Sequence, residues 1–158
     1  MNPSIDPAPT RMLVDSNILL RLAEPGHPLE SLARLALERL TDQGFEPCIV
    51  PQVIYEYWVV ATRPISVNGL GFSVEQVQRD LVAARALFRL FRDERGILDR
   101  WEALVRDHSI HGKKAHDARL AAAMLRHGVT HLLTFNGADF QRYPHVTVLN
   151  PEEVAATA

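Results

Sequence analysis

The chain has little cysteine, no excess of positive charge and no long hydrophobic run. Cys48 is the only cysteine, which excludes an internal disulfide and a cysteine-rich zinc site and favours a reducing cytoplasm. The formal charge of -2 excludes a globally basic surface, so any contact with nucleic acid has to be local. No run approaches the roughly 20 apolar residues that cross a bilayer, and the first residues lack the pattern of a secretory signal. We therefore expect a cytoplasmic protein without membrane association.

Hydrophobic residues make up 47% of the 158 positions, enough to bury the core of one compact domain. We assign this domain to residues 12–150. Residues 1–11 contain three prolines and few hydrophobic side chains, so we expect a flexible N-terminal extension and consider Met12 a candidate natural start. Residues 151–158 are assigned as a C-terminal tail.

Short apolar runs alternate with segments of helical spacing along this domain. The runs predict four strands, at residues 12–14, 48–50, 131–135 and 146–149. Apolar side chains three or four positions apart predict helices over residues 29–40, 51–62, 73–91, 101–106 and 116–127. This alternation indicates an α/β fold, a three-layer α/β/α domain with a mostly parallel central sheet.

Arginines at helical spacing accompany the apolar stripe of the predicted helix 73–91. They are Arg85, Arg89 and Arg92. Such a face either lines a groove for phosphates or is a solvated helix surface. The solvated interpretation is favoured, because charge at helical spacing is common.

Four acidic residues fall where predicted strands end or helices begin. They are Asp15 after the first strand, Glu56 in the helix after the second, Asp117 at a helix start and Asp139 after the strand 131–135. Ligands of open parallel sheets bind beyond the carboxyl ends of the strands. The four carboxylates can therefore converge at one edge of the sheet.

Carboxylates gathered in one place repel each other, and a hard divalent cation such as Mg²⁺ or Mn²⁺ relieves this repulsion through oxygen ligands. A cation held in this way lowers the pKa of a bound water and neutralises phosphate oxygens. The set of acids therefore predicts a metal site suited to hydrolysis of phosphodiester bonds, without a nucleophilic side chain.

Each acid also has a purely structural explanation. Asp15 and Asp117 can cap or complement the helices at whose starts they lie, and Asp139 can stabilise a turn. Glu56 has bulky or apolar neighbours, and its alternative is a salt bridge to an arginine. The metal site therefore depends on the whole set and not on any single acid.

Two further groups of residues are candidate ligand-binding motifs. His108, His111 and His116 are close in sequence, but a polar loop without cysteine disfavours a histidine metal site. Basic residues also lie beside Asp117 and are candidates for contact with a nucleic-acid backbone, with plain solvent exposure as the alternative. They are Lys113, Lys114 and Arg119.

Four segments around the acids resemble the PIN-domain family, and within it the VapC-like toxins of bacterial toxin-antitoxin pairs. The segments are Leu13–Leu20 (LVDSNILL), Gln52–Glu56 (QVIYE), His116–Ala123 (HDARLAAA) and Leu132–Phe140 (LLTFNGADF). They occur in the order typical of the family and span nearly everything after residue 11. Any single segment is a weak signal, but the joint pattern is specific.

The resemblance implies a homodimeric endoribonuclease that uses Mg²⁺ or Mn²⁺ and whose active-site groove is blocked by a cognate antitoxin protein. Asp15 and Asp117 would contact the metal directly, and Glu56 and Asp139 directly or through water. The resemblance also implies polar residues beside the site, namely Asn17, Thr134 and Asn136. The segment before Met12 departs from the family pattern.

Two other functions stay open from the residues alone. An aspartyl-nucleophile phosphatase would use Asp15, but such enzymes usually place a second Asp two positions on, where this chain has Asn17. A non-catalytic, receiver-like binding module would need an Asp after a central strand and a Lys after a late one. This chain has Glu56 and Asn136 in those places.

Overall fold

A computed structural model describes residues 7–157, and a parallel sheet forms its centre. The strands are β1 Thr10–Val14, β2 Phe45–Ile49, β3 Arg89–Leu90, β4 His131–Leu133 and β5 Thr147–Leu149. Their order across the sheet is β3-β2-β1-β4-β5, and each of the four pairings between these strands is parallel. The predicted parallel sheet is therefore confirmed, with one strand more than expected.

Seven α-helices connect and follow these strands in the described part of the chain. They are α1 Ser16–Leu22, α2 Glu30–Asp42, α3 Pro51–Thr62, α4 Val74–Leu87, α5 Arg95–Asp107, α6 Lys114–His127 and α7 Pro151–Ala156. Two short 3-10 helices lie at Ile65–Val67 and Gly137–Phe140. Among residues 7–157, no helix has both the length and the apolar character needed to cross a membrane.

The strand order determines how the helices are layered. The chain moves from β1 to β2 and β3 in one direction and then returns to β4 on the other side of β1. Right-handed crossovers therefore place α1 to α4 on one face and α5 and α6 on the other. The packing agrees, because α1 contacts α2 and α3, α3 contacts α4, and α5 contacts α6. This is the predicted three-layer α/β/α arrangement.

The core lies on both faces of the central strands. Leu13, Ile49 and Leu132 are fully buried between the two helical layers. Helix α6 approaches the sheet through a run of small buried residues, which are Ala118, Ala121, Ala122 and Ala123. Close packing of α6 brings its first turn, which carries Asp117, to the edge where the strands end.

The strand β3 was missed by the sequence prediction. Helix α4 ends at Leu87 because the next residues pair with β2, Arg89 with Cys48 and Leu90 with Ile49. Only Arg85 of the three spaced arginines lies on α4, so Arg85, Arg89 and Arg92 do not share a helix face. The prediction of a common arginine face was wrong, because pairing with a neighbouring strand overrode the helical spacing of the sequence.

The N-terminal part of the domain begins earlier than predicted. Strand β1 starts at Thr10, because Thr10 pairs with Phe45 of β2. The assigned extension 1–11 therefore contributes its last two residues to the sheet. Residues 1–6 of that extension lie outside the described part of the chain.

The segment assigned as a C-terminal tail contains helix α7, which packs against α2. Asn150 caps this helix by accepting a hydrogen bond from the backbone N–H of Glu152. Arg39 of α2 donates to the carbonyl oxygens of Val154 (3.1 Å) and Ala155 (2.6 Å) at its other end. Helix α7 therefore extends the layer formed by α1 to α4.

The turn that carries Asp139 packs tightly on β5. A methyl group at Gly137 would lie 2.6 Å from Cγ1 of Val148, closer than packed carbon atoms approach. We expect Gly137→Ala to lower the free energy of unfolding by about 1–3 kcal/mol, the usual effect of overpacking. Urea unfolding measures the change.

Val148→Ala removes the methyl group that would clash, so the double variant should be more stable than the sum of the two single effects predicts. Additive effects in this double-mutant cycle would contradict the contact between the turn and β5.

Candidate active site

The site lies at the point where the chain reverses its direction across the sheet. Strand β2 lies on one side of β1 and strand β4 on the other, and the connections to them run on opposite faces of the sheet. This change of direction leaves a crevice at the carboxyl ends of β1 and β4. Asp15 directly follows β1 and Thr134 directly follows β4. The backbone N–H of Asp15 donates to the carbonyl oxygen of Leu133 (3.1 Å), so the two strand ends are joined there.

Asp15 is a buried carboxylate, with only 6% of its surface exposed. Its Oδ1 accepts a hydrogen bond from the backbone N–H of Ser16 (2.7 Å) at the start of α1. Its Oδ2 accepts one from the hydroxyl of Thr134 (2.7 Å). Asp15 therefore caps a helix, as its structural interpretation requires, and at the same time faces the crevice.

Burial raises the pKa of Asp15 from 3.8 to about 6. The charges of Glu56 and Asp117 act in the same direction, and the hydrogen bonds from Thr134 and the Ser16 backbone act against it. Hydrogen bonds show that these three acids surround one region. The Ser16 hydroxyl lies 3.5 Å from Asp15 Oδ1 and 3.0 Å from Glu56 Oε2. Gln52 joins Glu56 to the backbone of His116, next to Asp117.

Thr134 beyond β4 and Asn17 of α1 hold Asp15 in place. The hydroxyl of Thr134, which is fully buried, also accepts from Asn17 Nδ2 (3.0 Å) and from the backbone N–H of Asn136 (3.0 Å). Asn17 Oδ1 in turn accepts from the backbone N–H of Phe135 (3.2 Å). Asn17 and Thr134 thus lie directly beside Asp15, while Asn136 contributes through its backbone.

Glu56 is held by two polar side chains that the sequence reasoning missed. Its Oε2 accepts from the Ser16 hydroxyl (3.0 Å), and its Oε1 accepts from Gln52 Nε2 (2.9 Å). The buried amide of Gln52 also donates to the backbone carbonyl of His116 (2.8 Å), which ties α3 to α6. A signal for Gln52 was present, because a residue four positions before Glu56 lies on the same helix face.

Asp117 lies in the first turn of α6, near Asp139 in the 3-10 helix after β4. Burial raises the pKa of Asp117 from 3.8 to about 6, and the charges of Asp139 and Glu56 add to this effect. His116 and Arg142 lower it. Asp139 itself is exposed. The four acids therefore form a continuous negative region along the carboxyl edge of the sheet.

The arrangement is an open cluster of acids and not a closed metal cage. Across residues 7–157, no three His, Cys, Asp or Glu side chains are grouped so that they would hold a metal ion as they stand. The chemistry of the donors nevertheless fits a hard divalent cation, because they are oxygen ligands whose mutual repulsion a cation would relieve.

The basic residues near Asp117 differ in their surroundings. Lys113 and Lys114 are exposed at the start of α6. Arg119 is partly buried, where it donates to Gln52 Oε1 (3.1 Å) and pairs with Asp93 (3.1 Å). Arg119 is therefore linked through Gln52 to Glu56, and its predicted contact with a nucleic-acid backbone stays a prediction.

Comparison with known proteins gives one family and several similar structures. The family model of the PIN domain matches residues 12–146. VapBC2 from Rickettsia felis, bound to a promoter DNA fragment, is similar with a TM-score of 0.66 and 16% identity, covering 89% of this chain and 98% of that one. A toxin-antitoxin complex from Klebsiella pneumoniae gives a TM-score of 0.62 and 26% identity, covering 89% and 97%.

A third similar structure is VapC20 from Mycobacterium tuberculosis, described as a toxin that cleaves the sarcin-ricin loop. Its TM-score is 0.54 at 21% identity, with 81% of this chain and 92% of that chain covered. A search of curated proteins finds no match to this chain.

The raised pKa of Asp15 predicts how the stability of the metal-free protein depends on pH. The folded state holds the proton of Asp15 up to a higher pH than the unfolded chain does. The free energy of unfolding is therefore higher at low pH and decreases as the pH rises through about 6. Asp15→Asn removes the buried charge. We expect this variant to be more stable than the wild type by roughly 1–3 kcal/mol at about pH 7.5, an advantage that shrinks toward about pH 4.

Urea unfolding in EDTA at the two pH values tests this expectation. Asp42→Asn, an exposed acid at the end of α2, is the matched control and should change little at either pH. A wild type as stable as Asp15→Asn at the higher pH would contradict the proposed electrostatics.

Proposed function

The chain belongs to the PIN-domain family, and from this membership we propose that it is a metal-dependent endoribonuclease acting as the toxin of a toxin-antitoxin pair. The observation that carries the proposal is the run of four acids along the carboxyl edge of the sheet. Two of them, Asp15 and Asp117, have a pKa of about 6 because burial and neighbouring carboxylates disfavour their charge. Carboxylates with raised pKa values are common at functional sites, where a bound cation or a reacting group interacts with them.

The residues around the cluster support a site for Mg²⁺ or Mn²⁺. Asp15 and Asp117 would contact the ion directly, with Glu56 and Asp139 in direct or water-mediated contact. When bound, such an ion lowers the pKa of a water and neutralises charge on the phosphate.

The chain itself supplies the rigid positions of these acids. Thr134 and Asn17 orient Asp15, and the hydroxyl of Ser16 and the amide of Gln52 orient Glu56. With a pKa of about 6, Asp15 is mostly ionised at neutral pH and offers anionic oxygens to the cation. Precise placement of such groups is a large part of catalysis by a bound metal.

The relatives support the toxin assignment. The Klebsiella pneumoniae structure is a toxin-antitoxin complex with 26% identity over most of both chains. We accordingly propose RNA as the substrate, a cognate antitoxin as a partner and a homodimer as the active form. The single thiol of Cys48, which is buried and free, is compatible with a reducing cytoplasm.

The two alternatives have less support. An aspartyl-nucleophile phosphatase usually has a second Asp two positions after the nucleophile, where this chain has Asn17, whose Nδ2 donates to Asp15 Oδ2 (3.4 Å). A receiver-like module needs a Lys after a late strand, whereas β4 is followed by Thr134, Phe135 and Asn136.

Cleavage of RNA by purified protein tests the catalytic proposal. We expect wild-type protein, freed of any antitoxin, to cleave a broad pool of RNA when Mg²⁺ or Mn²⁺ is titrated in. Asp15→Asn and Asp117→Asn should each lose at least about a hundred-fold in rate, because a lost ligand costs at least as much as a lost supporting residue. Gel or sequencing readout of the products gives the rates.

Asp42→Asn is again the matched control, because α2 ends where β2 begins, at the opposite edge of the sheet. Activity that persists in both site variants, or that is independent of divalent metal, would remove the mechanism.

Expression in bacteria tests the toxin proposal separately. Induced wild-type protein should arrest growth, and Asp117→Asn at equal abundance should not, because arrest would depend on cleavage. Unimpaired growth with abundant, cleavage-competent wild-type protein would show a nuclease that is not a toxin.

A further inference from the structure

A second feature of the carboxyl edge is a cavity of about 430 Å³ beside the acidic cluster. Its lining includes Asp93, Ile97, Leu98, Trp101, His116 and Arg119. Asp93 follows the end of β3, so it lies at the same sheet edge as Asp15. His116 immediately precedes Asp117 in α6. The cavity is therefore a lateral continuation of the candidate active site, in the size range of small-ligand sites.

We propose that this cavity binds a nucleobase of the RNA chain next to the phosphate that is cleaved. The proposal rests on the proposed ribonuclease function and adds to it a place where the identity of a base is read.

The apolar walls of the cavity fit the faces of a base. The indole of Trp101 is held in one orientation, because its Nε1 donates to the backbone carbonyl of Ala115 (2.8 Å). Ile97 is buried, whereas Leu98 is 56% exposed although it is a large apolar side chain. Unpaired bases of RNA bind by stacking on aromatic side chains, and a fixed indole is suited to this role.

The polar wall fits the edge of a base. Asp93 and Arg119 form an ion pair (3.1 Å) in the lining, which offers a carboxylate acceptor and guanidinium donors side by side. Base edges carry donors and acceptors in the same close spacing, so an ion pair of this kind can distinguish one base from another.

The charge of the cavity disfavours a phosphate as the occupant. Two acids, Asp93 and Glu94, line it together with Arg119. Both acids are paired, Asp93 with Arg119 and Glu94 with Arg126. Because these pairs leave no excess of positive charge, a neutral base fits the cavity better than an anion.

The cavity is also connected to the acids through hydrogen bonds. Arg119 donates to Gln52 Oε1 (3.1 Å), and Gln52 Nε2 donates to Glu56 (2.9 Å). A base that contacts Arg119 therefore lies two hydrogen bonds from a predicted metal-orienting acid. These two hydrogen bonds connect recognition of a base at Arg119 to cleavage of the neighbouring phosphodiester bond.

Tryptophan fluorescence tests the stacking directly, because the chain has only two tryptophans, Trp58 and Trp101. Trp58 lies in α3 and packs against the core. Trp58→Phe leaves Trp101 as the only reporter, and Trp101→Phe leaves Trp58. Short single-stranded RNA oligonucleotides are added to each protein in EDTA, so that binding is measured without cleavage.

We expect RNA to quench the emission of Trp101 and to leave that of Trp58 nearly unchanged. Leu98→Ala, an exposed substitution with little effect on folding, should weaken RNA binding up to about ten-fold, because the base loses apolar surface to pack against.

A second measurement tests base reading in the metal-loaded protein. RNA oligonucleotides that differ at one position near the cleavage site are compared for rate. Asp93→Asn should change the preference among the four bases by about ten-fold, the effect of one good base contact. Asp99→Asn, an exposed acid on α5, is the matched control and should leave the preference unchanged.

The outcomes separate the base site from the proposed function. If RNA is cleaved but Trp101 is not quenched and Asp93→Asn keeps the wild-type preference, the base site is wrong and the ribonuclease stands. If no RNA is bound or cleaved, both proposals fall. If Trp101 emission depends on protein concentration and not on RNA, a second copy of the chain covers the cavity and the base site is again overturned.

Discussion

The hydrogen bond from the Thr134 hydroxyl to Asp15 joins the ends of β1 and β4, the two strands between which the chain reverses its course across the sheet. A buried carboxylate is costly unless it is hydrogen-bonded. Thr134, the Ser16 backbone and Asn17 supply these bonds to Asp15. The crevice at the carboxyl ends of β1 and β4 can therefore hold a buried negative charge, and the other acids lie around it.

The cluster of acids lowers the stability of the metal-free fold, because its carboxylates are partly buried and repel one another. Burial raises the pKa of both Asp15 and Asp117, and the charge of Glu56 raises both further. Asp117 adds to the effect on Asp15, and Asp139 adds to the effect on Asp117. Pairing the acids with arginines would have removed the repulsion. Arg119, two positions after Asp117 in α6, is instead held by Gln52 and Asp93. The repulsion is thus left for a ligand to relieve, as is common at functional sites.

Helices from both faces of the sheet meet at its carboxyl edge, and polar contacts connect them there. Gln52 of α3 reaches the backbone of His116 and the side chain of Arg119 in α6. The acids and the cavity beside Trp101 are consequently parts of one surface. An RNA strand lying along this edge would contact carboxylates at the ends of β1 and β4 and the indole of Trp101 near the end of β3.

The sequence by itself determined the α/β class and the approximate positions of four strands, and it predicted the four acids as the site, because hydrophobic spacing and strand-end carboxylates are local features of the chain. Only the tertiary structure decided what depends on distant neighbours. β3 formed because Arg89 and Leu90 pair with β2, although the spacing favoured a helix. Gln52 and Ser16 became site residues through contacts with Glu56, and Arg119 became a partner of Asp93. The contacts of Ser16 with Glu56 and of Arg119 with Asp93 join residues far apart in the sequence, which no periodicity records, whereas helical spacing does relate Gln52 to Glu56.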